Sequence, residues 1–276
     1  MRHIVTALHL GAEHPFSVLH VSDTHLTLAD GRDDERKNRL AEHRTPVFPS
    51  ASENLDKVTR LARERRLTVI HTGDLIDFVS EANLERARQF TDEVDCFMAA
   101  GNHEFSLYVG EAKEDAAYRE ISLNRVQSVF KNDIRFCSRV INGINFVAID
   151  NGYYLIEPWQ LDRLKKEIGR GLPMVAVLHT PLYSPEMYEI SMEIHHNGPA
   201  YLMSVPEEKM GHYPPDRYEQ QKEDAVTAEA FALLTGTPLI RAVLTGHLHR
   251  DYQCMLRPGL PQIMTGLDTV RELVID

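Results

Sequence analysis

Residues 73–78, GDLIDF, set two carboxylates, Asp74 and Asp77, three positions apart behind a glycine and directly after the apolar run LTVIH. Four other apolar runs end in the same way. FSVLHVSD (16–23) leads into Asp23 and His25, DCFMAAGN (95–102) ends on Asn102, MVAVLHTP (174–181) carries His179, and RAVLTGH (241–247) leads into His247 and His249. In an extended segment residues two apart face the same side, so Asp23 with His25, and His247 with His249, each present a pair of donors in one direction. Gly73 permits a tight exit from its strand and a close approach of backbone to a bound ion. Carboxylate, amide and imidazole without thiolate form a mixed oxygen and nitrogen donor set, which suits Mn, Fe, Zn or Co rather than a structural zinc knot.

Such donors act together only if the chain brings the five run ends to one place. Near-continuous apolar runs suit strands covered on both faces, and in open α/β sheets ligands gather at the carboxyl ends of the strands. Between the first runs lie helix-forming stretches, residues 50–66 with Ser50 as N-cap and Glu53 three positions on, and ANLERARQF, so strand and helix alternate. Asn142-Gly143 and Pro258-Gly259 each separate two strand-like runs and predict hairpins, which imply a second sheet or antiparallel margins on the first. Residues 184–222 lack periodicity and hold five prolines, Pro185, Pro199, Pro206, Pro214 and Pro215, which points to an insertion or lid rather than a plain loop. The charge run GRDDERKNR (31–39) reads as a solvated loop near Asp23.

Composition narrows the partners. With 276 residues, 43% of them hydrophobic, the chain fits one domain, residues 1–276. Forty-one acidic against 30 basic residues give a net charge of −11, which disfavours an extended nucleic-acid surface. Cys96, Cys137 and Cys254 are too few and too scattered for a disulfide framework and read as buried small side chains. The N-terminal apolar stretch is short and interrupted by His and Glu13, so neither a signal h-region nor a membrane span is expected, and a cytoplasmic protein is. Oligomeric state has no signature in the sequence.

Asp-x-His, GDLID, GNHE, the strand-end His179 and Gly-His-x-His, in this order over residues 16–250, resemble the calcineurin-like metallophosphoesterases. The resemblance implies a four-layer αββα sandwich, with two mixed sheets flanked by helices and two divalent or trivalent metal ions at the strand ends. It assigns Asp23, His25 and His249 to one ion, Asn102, His179 and His247 to the other, and Asp74 to both. Asp77 becomes a partner that orients the loop, and Asn102 and His103 face the substrate. His103 serves the leaving group as acid, and Glu104 either orients His103 or caps the following helix. The implied reaction is hydrolysis of a small phosphodiester or phosphomonoester by a hydroxide held between the ions, and GDLID resembles the cyclic-nucleotide phosphodiesterase branch, which favours diesters. A nuclease and a non-catalytic metal-binding interaction module are the alternatives. His3, His9, His14, His20, His43 and His71 lack ligand spacing and read as core or surface residues. His195, His196 and His212 read as solvated loop histidines, and Arg250 as a surface residue.

Overall fold

In the computed structural model, which describes residues 1–111 and 114–276, the five apolar runs become short strands whose ends lie level. The elements run β1 (Arg2–Leu8), β2 (Phe16–Val21), α1 (Glu35–Arg44), α2 (Ala51–Arg65), β3 (Thr68–His71), α3 (Glu81–Glu93), β4 (Cys96–Met98), α4 (Ala116–Gln127), β5 (Phe136–Ile141) and β6 (Ile144–Ile149). There follow α5 (Pro158–Gly169), β7 (Met174–Val177), α6 (Pro185–Ile194), α7 (Pro215–Gln221), α8 (Ala225–Gly236), β8 (Ile240–Thr245), β9 (Tyr252–Arg257), β10 (Leu260–Met264) and β11 (Thr269–Ile275).

Two mixed sheets result, ordered β1-β11-β2-β3-β4 and β5-β6-β7-β8-β10-β9. β2, β3 and β4 are parallel neighbours, with Val21 beside His71 and His71 beside Met98 at their ends. β7 and β8 are parallel too, with Val177 beside Leu244. Apolar side chains of both sheets, among them Val18, Ile70 and Phe97 from one and Phe146, Val175 and Leu244 from the other, share a core between them. The outer face of the first sheet packs on α2 and α3 through Leu55, Val58, Leu84 and Phe90. That of the second packs on α5 and α8 through Leu161, Leu164, Ala230 and Leu234. Each of these valine, leucine and phenylalanine side chains contributes about 1.5–3 kcal/mol on burial, which helps hold the four layers αββα together.

Both expected hairpins form. Asn142 and Gly143, at φ 45° and 82°, connect β5 to β6 with the left-handed pair a tight two-residue turn requires. β9 and β10 pair antiparallel around Pro258-Gly259.

Several local expectations are corrected. Residues 31–39 are not simply a loop, because Asp34 caps the helix α1 by accepting from the Lys37 N–H at 2.8 Å. Ser50 precedes α2 but makes no side-chain cap bond, since its backbone is not extended, and Glu53 pairs with Lys57 instead. Cys96 and Cys254 are buried, whereas Cys137 on the edge strand β5 is only half-buried. The span 184–222, read as lacking periodicity, holds the helices α6 and α7, and its Met187, Leu202 and Tyr213 share a small core with Leu248, Cys254 and Met264. Among the described residues no helix is long and apolar enough to cross a membrane.

Candidate metal centre

The loops leaving β2, β3 and β8 carry five of the expected donors in left-handed backbone conformation: Asp23 (φ 53°), His25 (50°), Asp74 (57°), His247 (72°) and His249 (54°). Outside glycine this conformation costs about 1–2 kcal/mol per residue and concentrates at functional sites. The surroundings hold it in place. The Asp23 and His25 N–H groups donate to the Gly73 and Asp74 carbonyls at 3.0 and 2.9 Å, and the His247 N–H donates to the Asp23 carboxylate at 3.0 Å. Gly73 lies so close that a Cβ there would sit 2.7 Å from His179 Nδ1, and one on Gly101 would strike Asp74 Oδ1.

The donors fall into two groups whose candidate ligand atoms lie within 4.8 Å of one another: Asp23, His25, Asp74 and His249, and Asp74, His179 and His247. Asp74 belongs to both. Asn102 joins the second group, its Oδ1 3.1 Å from His179 Nε2.

Proton placement decides what these atoms offer. His179 Nδ1 faces the Thr72 carbonyl at 2.8 Å, which only accepts, so Nδ1 carries the hydrogen. Its bare Nε2 then meets Asn102 Oδ1, Asp74 Oδ2 at 3.2 Å and His247 Nδ1 at 3.0 Å. His25 Nδ1 likewise faces Asp77 Oδ1 at 2.9 Å, which leaves Nε2 bare, 2.9 Å from His249 Nε2 and 3.6 Å from Asp74 Oδ2. Asn102 Nδ2 donates to Glu114 at 3.3 Å, so the amide oxygen turns inward. The Nε2 lone pairs of His25 and His179 and the Asn102 and Asp74 oxygens thus converge, with only the ring hydrogens of His247 and His249 available to lie between them. That arrangement is costly in a buried site and is relieved by cations in the gaps.

Acid–base behaviour agrees. Burial pushes Asp23 upward and drives His247 and His249 down, the latter to about 3, so these imidazoles keep their lone pairs. Burial also opposes charge on His179, but the Asp74 carboxylate overrides it and lifts the imidazole to about 10, so that Nε2 is bare only when a cation takes the place of its proton, the mark of a site short of positive charge.

Around these donors sits a layer that holds them. Asp77 is fully buried and accepts from His25 and, through Arg44 on α1, from Nε at 2.7 Å and Nη2 at 2.9 Å. Its carboxylate oxygens are occupied by those donors, so His25, Asp77 and His103, although close enough to form a third group, read as a hydrogen-bonded chain. Phe48 stacks on His25 at 4.2 Å, and Asn151 Oδ1 accepts from the His179 N–H at 2.9 Å.

Glu104 neither orients the His103 ring nor caps a helix. It lies within the short 3-10 turn His103–Phe105, and its buried carboxylate accepts from the N–H groups of Asp74 (2.8 Å), Leu75 (2.8 Å), Ile76 (3.3 Å) and Gly101 (2.7 Å). It staples the Asp74 loop to the Asn102 loop. Burial and the nearby Asp74 push its carboxyl up to about 7, against the pull of those N–H donors. His103 is oriented by Asp77, whose carbonyl accepts from Nδ1 at 2.7 Å, and burial is outweighed there by Asp74 and Asp77, which raise the imidazole.

A cleft of about 330 Å³ opens over Asp74, Asn102, His103, His247 and His249. Its wall beside His247 is formed by Tyr154, His195, Tyr201 and Arg217, none of which sequence reasoning selected as a site residue. Tyr154 also places its hydroxyl 3.3 Å from His247 Nε2. Contrary to expectation His195 is a half-buried cleft residue, whereas His196 and His212 are exposed and Arg250 is a surface residue beside Glu193. His20 and His71 are core residues, bonded to Thr72 and Thr265, and to Thr24.

A four-layer sandwich that carries this donor set on the common rim of its two sheets defines a metallophosphoesterase. The family model for calcineurin-like phosphoesterases matches residues 16–251, and the chain belongs to that family. It is a phosphoester hydrolase of a family that binds divalent metals. Among solved structures, a dimetal phosphatase of Danio rerio superposes with a TM-score of 0.54 at 12% identity, over 92% of this chain and 88% of the other. A putative 5'-nucleotidase of Staphylococcus aureus gives 0.45 at 14% identity, over 92% of this chain but only 49% of its own, so this chain spans about half its length. A phosphopantetheinyl hydrolase of Mycobacterium tuberculosis gives 0.44 at 14% identity, over 91% and 89%. At 12% identity the likeness to the first of these is one of fold alone. No curated protein matches the chain.

Proposed function

We propose that the chain hydrolyses a small phosphate ester at a pair of metal ions, one held by Asp23, His25 and His249, the other by Asn102, His179 and His247, with Asp74 shared. Ions of the Mn, Fe, Zn or Co type suit the donors, and when bound they supply charge neutralisation of the phosphoryl group and a nucleophilic solvent molecule near neutral pH. The observation that carries this reading is the convergence of imidazole nitrogens with carboxylate and amide oxygens, from the ends of strands in both sheets, in a site short of positive charge.

The remaining residues act on the substrate. Asn102 and His103 face the phosphoryl group from the cleft floor. Because His103 Nδ1 is tied to the Asp77 carbonyl, Nε2 is the atom left to hand a proton to the departing oxygen. A net charge of −11 and a cleft of about 330 Å³ favour a small substrate over a polymer, which argues against a nuclease. GDLID favours a diester. The three free cysteines suit a reducing, cytoplasmic setting, and residues 184–222 act as a lobe of one domain that walls the cleft.

The test is Asp74→Asn. The variant is expected to lose most bound metal by elemental analysis and to lose hydrolysis of both p-nitrophenyl phosphate and bis(p-nitrophenyl) phosphate, the pair that separates monoester from diester activity. Full metal content with undiminished turnover in the folded variant rejects the assignment.

A further inference from the structure

The wall of the cleft that runs from His247 away to Arg217 is built from two segments with unusual backbone. Tyr154 and Tyr201 both have positive φ, 69° and 52°. For bulky aromatic residues this is a genuine outlier, of the sort that persists where the surroundings impose it for a purpose. Tyr201 belongs to the lobe, which is anchored beside the His247–His249 loop through Leu248. Its ring lies 4.7 Å from the His195 ring and 5.7 Å from the Arg217 guanidinium.

Counting hydrogen-bond capacity on this wall separates the groups that are used from those that are not. The Glu114 carboxylate accepts from Asn102 Nδ2, Arg217 Nη1 and Gln220 Nε2 and is largely occupied. Arg217 spends Nη1 on Glu114 at 3.1 Å and on Gln220 at 2.7 Å. Among the described residues its Nε and Nη2 have no hydrogen-bond partner, although a guanidinium carries five N–H donors. His195 Nε2 is buried without a partner as well. The unspent capacity is therefore mostly donor capacity, fixed in place by Glu114, on a wall with aromatic faces.

Resting on the function proposed above, we propose that Arg217, with Tyr201 and His195, forms a subsite for a second anionic group, so that the substrates are small phosphate esters bearing a carboxylate or further phosphate away from the scissile bond. Arg217 is then a specificity-determining residue that binds the distal anion through Nε and Nη2 while the phosphoryl group occupies the metal end.

Non-hydrolysable probes test this without relying on turnover. Calorimetric affinities for the metal-loaded protein would be compared among alkylphosphonates, ω-phosphonoalkanoates and α,ω-bisphosphonates over a series of chain lengths. One length with a distal anion should bind about tenfold more tightly than the alkylphosphonate of that length, the low end for a charge-assisted contact on a half-buried arginine. Whether carboxylate or phosphonate gains more identifies the natural distal group. R217M should abolish the anionic-to-alkyl ratio and R217K should retain part of it. The ratio cancels any disturbance at the metal end. Equal affinities throughout, or a preference that survives R217M, overturn this subsite while leaving the phosphoesterase reading intact. Failure of every phosphonate to bind overturns both.

Discussion

Glu104 offers the sharpest test of how the two catalytic loops are held, because it is expected to contact neither substrate nor metal. Its carboxylate receives four backbone N–H groups from residues 74, 75, 76 and 101, three of them at 2.8 Å or less. Glu104→Gln preserves shape but replaces one oxygen with an NH2 group, which can only face N–H donors. The amide nitrogen is expected on the side of Leu75 and Ile76, where the 3.3 Å bond is weakest. Two buried N–H groups are then left without an acceptor, at about 1–3 kcal/mol each, and since one bond was weak the loss should be about 2–4 kcal/mol. Against a typical total of about 5–15 kcal/mol that is large for a change of one atom. Urea unfolding of metal-depleted protein, followed by circular dichroism, should show a lower midpoint with an unchanged slope. A variant within about 0.5 kcal/mol of the parent would falsify the staple, because substitutions at ordinary surface positions shift stability by that much.

Three further perturbations probe the layers around the donors. Asp77→Asn removes the charge that receives both His25 Nδ1 and Arg44, and should weaken the metal bound by Asp23, His25 and His249 by about 10–100-fold in a chelator competition; unaltered affinity for both ions would show that Asp77 does not set the His25 ring. Gly101→Ala places a methyl against Asp74 Oδ1, 2.7 Å from the Asp74 nitrogen, and should yield folded protein with reduced metal content; a full complement of metal with parental turnover would mean the loops can part without consequence. His103→Ala should keep both metals yet slow esters with poor leaving groups most, and uniform slowing across leaving groups would remove His103 from proton delivery.

Much of this molecule could be read from its residues because function and folding leave their marks in the same short stretches. Five apolar runs that form strands or their ends lead into a donor, and Asn142-Gly143 and Pro258-Gly259 turn where their chemistry demands. What escaped notice lacked such a pattern. β1 has an exposed edge, with polar and apolar residues mixed along it, and β11 gained its place only by pairing with β1 and β2. The charge run before α1 hid a helix because its single capping aspartate is one acid among many. Arg44, Tyr154, Tyr201 and Arg217 come from segments without periodicity, and their nearness to the donors is a product of tertiary packing that no spacing encodes. Glu104 was singled out for its neighbours in sequence, while three of its four partners lie some 30 positions away.

The distance along the chain between facing donors has a bearing on biosynthesis. His25 and His249 meet across 224 positions, and His179 reaches Asn102 across 77. In the proposed arrangement a chain emerging from the ribosome has neither pocket complete until His247 and His249 have been made, so ion capture would follow folding of the strands that carry the earlier donors and act as a late lock on them.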